Sequence, residues 1–154
     1  MPSIQEKPLD STDRRIVEAL AANARIAMSD LARSIGMSAP SVTDRVRRLE
    51  AAGIIRGYTI EIDPTALGYA LAAVVRIKPR PGQLHIVERM IGDEARFISC
   101  DKVTGDDCFI AKLALRSIDE LDPLLDPLHD RAETNTAIVK SSPVQARFPP
   151  LASD

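Results

Sequence analysis

The chain is poor in aromatic residues: its 154 residues include three phenylalanines, two tyrosines and no tryptophan. Proteins that bind single-stranded nucleic acid stack its bases on aromatic side chains, so this composition argues against that class of ligand. The hydrophobic fraction is nevertheless 45%, which is ordinary for a globular protein. We therefore expect a core made mainly of leucine, isoleucine, valine and alanine.

Cysteine is also scarce. Cys100 and Cys108 have neither CxxC spacing nor a histidine close to them in sequence. A zinc site or a disulfide framework would need a denser pattern of such residues. The sequence therefore predicts free, partly buried thiols and no bound metal.

No hydrophobic run is long. The most apolar stretch, from Ala66 to Val75, is interrupted by Gly68 and falls short of the roughly 20 residues that span a bilayer. The first ten residues, MPSIQEKPLD, lack the apolar core of a signal peptide. We expect a cytoplasmic protein with no membrane partner.

The net charge of −2 is small but unevenly distributed. Residues 1–57 carry 9 Lys and Arg against 7 Asp and Glu, and the rest of the chain carries 11 against 15. The acidic excess thus lies in the second part of the chain. Non-specific attraction to a polyanion is expected to be modest.

Residues 29–53, SDLARSIGMSAPSVTDRVRRLEAAG, have the pattern of two short helices joined by a tight turn. Ser29 is predicted to cap the first helix, and Gly36 is predicted to end it with a positive φ. Ser38 and Pro40 then begin the second helix. This order predicts a helix-turn-helix, which places its second helix in the major groove of double-stranded DNA.

The second helix carries an apolar stripe and a cationic side. Val42, Val46 and Leu49 recur at the spacing that buries one face, and a turn of 100° per residue places polar residues opposite and beside it. The predicted DNA-binding residues are Ser38, Pro40, Ser41, Thr43, Asp44, Arg45, Arg47 and Arg48. A charged helix face is often only solvated, but here the caps, the turn, the stripe and the arginines occur together.

The segments on either side complete a small domain. Asp10 is predicted to cap a helix from Ser11 to Ala22, which adds a third helix to the same core. After the helix-turn-helix, IIRGYTIEID alternates apolar and polar residues until Asp63-Pro64, which predicts a strand or wing followed by a linker.

From Leu71 the pattern changes to strands and helices in the order β-α-β-β-α-β, with a hairpin around Thr104-Gly105-Asp106. This order is that of a ferredoxin-like unit, a four-stranded antiparallel sheet with two helices on one face, so the fold class is α+β. Nothing else in the segment can cover the second sheet face, and we expect a homodimer.

The second helix of this unit has two notable local signals. Ser117 with Glu120 three residues later is predicted to form a capping box. Pro123 and Pro127 lie inside the helical stretch, where proline removes an amide donor, so a kink or a break is expected there.

Three features together carry a family resemblance. LDSTDRRI opens the first helix, SVTDRVRRLEAAGIIRGY contains the recognition helix, and VTGDD forms the hairpin turn. The chain resembles the leucine-responsive, or feast/famine, regulators of the Lrp/AsnC family from Leu9 to about Phe148. The resemblance implies a dimer paired through its sheets, often assembled into an octamer. It also implies a protein that bends DNA, binds a free amino acid between dimers and controls genes of amino-acid metabolism.

The resemblance further implies an effector pocket at the hairpin turn and the approach to the last strand. Its predicted residues are Val103, Thr104, Gly105, Asp106, Asp107, Cys108, Thr134, Asn135 and Thr136. A glycine turn exposes N–H groups that suit a carboxylate, and a nearby aspartate suits an ammonium. Without the resemblance, a plain hairpin turn would be the better interpretation.

Asp107 and Cys108 stand where the family usually has an aromatic residue and an acid. We therefore expect recognition of the α-amino and α-carboxylate groups together with a preference for an uncharged side chain. The sequence thus divides into a DNA-binding domain at 1–57, a strand and linker at 58–70, and an effector-binding and oligomerisation domain at 71–154.

Two other functions remain open from the sequence. One is an architectural DNA-binding protein that responds to no effector. The other is an enzyme, because sirohaem decarboxylases resemble the same two-part fold. The only histidines, His85 and His129, are far apart in sequence and form no cluster suited to a haem, so we predict a protein that is not an enzyme.

Overall fold

A computed structural model describes residues 9–151, which form two compact units. One unit ends at Glu61 and also includes the chain from Phe148; the other is Ile62–Arg147. None of the helices within residues 9–151 is long and apolar enough to cross a bilayer.

The first unit contains three helices: α1 (Ser11–Ala22), α2 (Met28–Ile35) and α3 (Ala39–Ala51). Each helix buries one apolar stripe against the other two, as the spacing of its leucines, isoleucines and valines predicts. The buried residues of this cluster are Ile16, Leu20, Leu31, Ala32, Ile35, Val42, Val46 and Leu49. The predicted helix-turn-helix and the preceding helix are confirmed.

The helix ends confirm most of the predicted signals. The Asp10 carboxylate accepts a hydrogen bond from the amide of Asp13, and Gly36 ends α2 with φ 79°. Ser29 is not a cap: α2 begins at Met28, with Ala27 in the capping position. Met28 packs against the three-helix core, so tertiary contacts start the helix before the capping residue that the sequence indicates.

The alternating segment after α3 is not a strand. Residues 56–63 have no assigned secondary structure, and Ile60 and Ile62 are 75% and 53% exposed. A strand needs a neighbour for its backbone groups, and no strand of the described chain pairs with this segment. The prediction of a strand or wing here is wrong for the single chain.

The second unit has the elements β1 (Leu71–Pro79), α4 (Leu84–Asp93), β2 (Phe97–Lys102), β3 (Phe109–Leu115), α5 (Leu121–His129) and β4 (Ala132–Ile138). The sheet order is β2-β3-β1-β4, and all three pairings are antiparallel. The βαββαβ prediction and the α+β fold class are confirmed.

One face of the sheet is covered by α4 and α5. Val75 of β1 pairs with Ala111 of β3 and Thr136 of β4, which fixes the register across the three strands. The alternate residues of β1 and β3 are buried together with residues of both helices. On the other face, Arg76 and Ile110 are exposed.

One local prediction in this unit is wrong, and a second is wrong in part. Ser117 makes no side-chain cap, and the Glu120 carboxylate accepts instead from the amide of Arg116, at 2.8 Å. The sequence predicts a kink or a break at Pro123 and Pro127; the break does not occur, since α5 is continuous from Leu121 to His129, and the kink stays a prediction. Pro123 lies in the first turn, where an amide has no partner within the helix, and so only Pro127 removes a helical hydrogen bond.

Candidate DNA-binding surface and effector site

The start of α3 is fixed by a serine cap. Ser38 Oγ accepts from the amide of Ser41 at 3.4 Å and lies 2.7 Å from Ser41 Oγ. Pro40 occupies the first turn, where its missing amide proton costs no hydrogen bond. The N-terminal end of α3 is therefore well defined and exposed.

The predicted DNA-binding residues separate into two groups. Most of them are exposed on the side of α3 away from the buried Val42, Val46 and Leu49. The exposed residues are Ser38, Pro40, Ser41, Asp44, Arg47 and Arg48. Arg47 lies 3.8 Å from Asp44, and both side chains are more than 70% exposed, so this contact leaves the guanidinium largely hydrated.

Thr43 and Arg45 differ from that group because both are half-buried. Thr43 Oγ1 donates to the carbonyl of Ala39 at 2.8 Å. Arg45 Nη1 lies 2.6 Å from Asp10 Oδ2 and 2.7 Å from Asp13 Oδ1. The hydrogen bonds to the two carboxylates raise the pKa of Arg45 above its usual value.

The hairpin turn at 103–108 is held by two backbone hydrogen bonds. The amide of Val103 donates to the carbonyl of Cys108 at 2.8 Å, and the amide of Phe109 donates to the carbonyl of Asp107 at 2.6 Å. Gly105 has φ 118°, and Cys108 has φ 57°, the one left-handed residue other than glycine within 9–151. Thr104, Gly105 and Asp106 are exposed at the tip.

Asp107 pairs with an arginine that the sequence did not identify. Its Oδ2 atom lies 2.8 Å from Arg76 Nε and 2.6 Å from Arg76 Nη2. Arg76 lies on the uncovered sheet face of β1, 31 positions away in sequence. Cys108 packs instead against the core under the helices. The only sequence signal for Arg76 was a cation at an exposed position of an alternating strand.

The predicted residues of the last strand do not share one face. Thr134 and Thr136 are opposite the buried Ile77 and Val75 of β1, whereas Asn135 is opposite Arg76. Asn135 is thus the member of this group that lies on the same sheet face as the Arg76–Asp107 pair.

The hairpin turn and β4 are not adjacent in one chain. β1 lies between β3 and β4 in the sheet, and two strand spacings amount to about 10 Å. An amino acid that contacts both the hairpin turn and β4 of one chain would have to lie across β1. A site formed by the turn of one chain and the β4 strand of a second chain would not require the ligand to span this distance.

Two cavities lie elsewhere in the sheet unit. One, of about 210 Å³, is lined mostly by apolar side chains, among them Ile62, Leu67 and Ile98. The other, of about 170 Å³, is lined by Glu88, Lys102 and Phe109 among others. The turn residues 103–108 line neither of them.

Within residues 9–151, no three His, Cys, Asp or Glu side chains are grouped so as to bind a metal ion. Both cysteines are free: Cys100 is exposed and Cys108 is half-buried. The thiol pKa of Cys100 is raised by partial burial and, to a smaller extent, by the charges of Asp101 and Glu88.

Comparisons with known proteins assign both units. Residues 9–56 match the family model described as winged helix-turn-helix DNA-binding, and residues 72–148 match the Lrp/AsnC ligand binding domain. The transcriptional regulator LrpC of Bacillus subtilis is 31% identical over 133 residues, which cover 86% of this chain and 92% of that protein. The regulator LrpA of Mycobacterium tuberculosis is 35% identical over 129 residues, with coverages of 83% and 86%.

Solved structures agree with the sequence relatives. Bacillus subtilis LrpC superposes with a TM-score of 0.84 at 29% identity, over 90% of this chain and 99% of that one. A feast or famine regulatory protein of Mycobacterium tuberculosis, complexed with L-methionine, gives 0.79 at 31% identity, over 92% and 98%. With two family models in the expected order and relatives matched over most of both lengths, this chain belongs to the Lrp/AsnC family of DNA-binding transcriptional regulators.

Proposed function

We propose that this regulator acts by binding rather than by catalysis, in the cytoplasm, and that it recognises a specific operator through the exposed side of α3. The DNA-binding surface that we propose consists of Ser38, Pro40, Ser41, Asp44, Arg47 and Arg48. Its operator binding or assembly is changed by a free, uncharged amino acid. Its targets are genes of amino-acid metabolism.

The observation that carries the DNA-binding part is the exposure of Arg47 and Arg48 opposite the buried stripe of α3. A recognition helix contacts base edges and phosphates with the side that its own domain leaves uncovered. Two adjacent guanidinium groups on that side can bind guanine edges in pairs of hydrogen bonds or neutralise phosphates.

The DNA-binding test replaces Arg47 and Arg48 together with alanine and measures binding to the protein's own upstream DNA across a range of salt concentrations. Loss of a base contact is expected to cost about 1–3 kcal/mol, and each lost phosphate contact lowers the salt slope by about one. The matched control replaces Arg89 and Lys140, two exposed cations of the other unit. Wild-type affinity in the double α3 variant at physiological salt would contradict the assignment.

The effector part of the proposal rests on the turn and its arginine. The exposed tip offers backbone amides for a carboxylate and the Asp106 carboxylate for an ammonium. Asp107 is already paired with Arg76, so a basic effector side chain would gain little there and would meet a like charge. These groups, together with the L-methionine complex of the related regulator, favour an uncharged amino acid as the ligand.

Calorimetry with each of the twenty amino acids tests this part. We expect micromolar to millimolar binding of an uncharged amino acid and a coupling of about 1–3 kcal/mol to DNA binding. Asp106→Asn should weaken binding, whereas Asp101→Asn, an exposed acid on β2, should not. A preference for lysine or arginine would contradict the pocket, and no response to any amino acid would favour an effector-independent architectural protein.

We also propose that the chain forms a homodimer through the uncovered sheet face and that dimers assemble further into an octamer. Two-fold symmetry would present two α3 helices to half-sites spaced by one DNA turn or a multiple of it. Light scattering at micromolar concentration tests the assembly, and a monomer there would contradict it.

A further inference from the structure

Arg45 is the most enclosed of the three arginines on α3, and its partners belong to another helix. Its side chain is 23% exposed, compared with 74% for Arg47. Arg45 Nη1 contacts Asp10 at 2.6 Å and Asp13 at 2.7 Å, across 35 and 32 positions of sequence. These bonds join the middle of α3 to the first turn of α1.

The same carboxylate that receives Arg45 also begins α1. One oxygen of Asp10 accepts from the amide of Asp13, and the other accepts from Arg45. The hydrogen bond from Arg45 is the main reason that the pKa of Asp10 lies below its ordinary value. The Asp10 side chain therefore takes part both in the cap of α1 and in the contact between α1 and α3.

The net charge of the cluster formed by Arg45, Asp10 and Asp13 does not favour DNA binding. Two carboxylates and one guanidinium carry a net negative charge, which repels phosphate. Their geometric effect is different, because charge-assisted hydrogen bonds from one guanidinium to two carboxylates restrict how α3 can turn or slide along α1. Arg47 and Arg48 follow Arg45 within one turn of the same helix.

We infer that Arg45 is a positioning residue, which acts through Asp10 and Asp13 to aim the exposed side of α3, and that it is not itself a phosphate contact. The inference rests on the proposed function, in which α3 binds the operator. It revises the role of Arg45, which the sequence grouped with the DNA contacts.

The decisive variant is Asp10→Asn with Asp13→Asn. Asparagine is as good a helix cap as aspartate, so α1 keeps its start while the charged partners of Arg45 are removed. Simple electrostatics predicts that loss of two negative charges tightens binding to every DNA sequence. Loss of positioning predicts instead that operator affinity falls about tenfold relative to non-specific DNA, as for groups coupled within one network.

The matched control is Glu18→Gln with Asp30→Asn, which removes two acids from exposed positions of α1 and α2. Asp30 pairs only locally, with Arg33 at 2.8 Å. The control should leave the ratio of operator to non-specific affinity unchanged. Equal tightening of both affinities in the decisive variant, as in the control, would overturn the inference.

Arg45→Gln provides a second test, because the salt dependence of its DNA binding distinguishes a phosphate contact from a positioning role. If Arg45 contacts a phosphate, this change lowers the salt slope for non-specific DNA by about one; if it only positions α3, the slope is unchanged while operator specificity falls. Melting curves establish that each variant is folded at the assay temperature, and Asp13→Asn alone replaces the double variant if the latter unfolds. Absence of operator binding by the wild-type protein would instead refute the proposed function.

Discussion

Arg45 and Arg76 each pair with aspartates distant in sequence, but the surroundings of the two pairs differ. Arg45 joins α3 to the first turn of α1; its side chain and that of Asp13 are each less than a quarter exposed, while its other partner, Asp10, is 53% exposed. Arg76 lies on an uncovered sheet face and is 57% exposed. An enclosed pair restrains the elements that it joins, whereas an exposed pair mainly sets the local charge. In the proposed function, the first pair positions α3 and the second sets the charge beside the effector turn.

The largest expected effect tests whether the two units are stabilised independently. Leu31 of the helical unit and Leu113 of the sheet unit are both 0% exposed. Truncation of either to alanine should cost about 2–5 kcal/mol of unfolding free energy. Denaturant titration followed by hydrogen exchange should locate the loss in the unit that carries the substitution, and equal losses in both units would contradict separate cores.

Removal of each arginine compares the two ion pairs directly. Arg45→Ala leaves two carboxylates without their partner and should cost about 1–2 kcal/mol, after allowance for solvent screening. Arg76→Ala, at a more exposed site, should cost less than about 1 kcal/mol. Thermal unfolding measures both, and an equal or larger cost at Arg76 would reverse the distinction between the enclosed and the exposed pair.

One glycine in each unit allows the effect of backbone conformation on stability to be compared between the units. Gly36 has φ 79°, so Gly36→Ala is strained and should cost about 1 kcal/mol, although no atom obstructs the new methyl group. Gly92 lies in α4 without a positive φ and with equal space. Gly92→Ala should be neutral or stabilise the sheet unit by up to about 1 kcal/mol, since alanine has the higher helix propensity. Chemical denaturation distinguishes the two signs.

The smallest effect is expected in acid. Hydrogen bonds from Arg45 and Arg96 hold the pKa values of Asp10 and Glu94, respectively, below their ordinary values. A carboxyl group with a lowered pKa stabilises the folded state above its ordinary pKa, and this contribution is lost as pH falls through the folded value. Each contribution should therefore be lost as the pH falls through the lowered pKa of its own carboxyl group. NMR titration of the two carboxyl groups measures both values, and Asp10→Asn should remove the acid dependence that Asp10 contributes.

Local signals made most of the fold predictable. Asp10, Gly36 and Ser38 act over three or four residues, and all three function as their sequence context indicates. The caps predicted at Ser29 and at the Ser117–Glu120 pair do not form, because other contacts compete with them. Met28 packs against the core and the helix begins there, and the Glu120 carboxylate accepts from the amide of Arg116 instead. The alternation in residues 54–63 failed because a strand also needs a partner, which periodicity cannot supply.

The charge partners of the sites could not be read from the sequence. Arg45 appeared at a flank of α3 with only its cationic character visible, and its carboxylates lie more than 30 positions earlier. The pairing of Arg76 with Asp107 likewise requires the β1–β3 register before it can be recognised. Helical periodicity identified the exposed side of α3. Which of its arginines form ion pairs with another helix depends on contacts between residues distant in sequence.

The position of β1 at the centre of the sheet has a consequence for biosynthesis. β1 pairs with β3 and with β4, so the pairing of Val75 is complete only after Ala111 and Thr136 have been synthesised. The three helices of the first unit, in contrast, pack against elements that are close in sequence. Contacts close in sequence form sooner than distant strand pairings, and domains fold largely in order of synthesis. On the ribosome, the three helices α1 to α3 can therefore pack together while the central strand of the sheet still lacks its last neighbour, so α3 is in place before the sheet is complete.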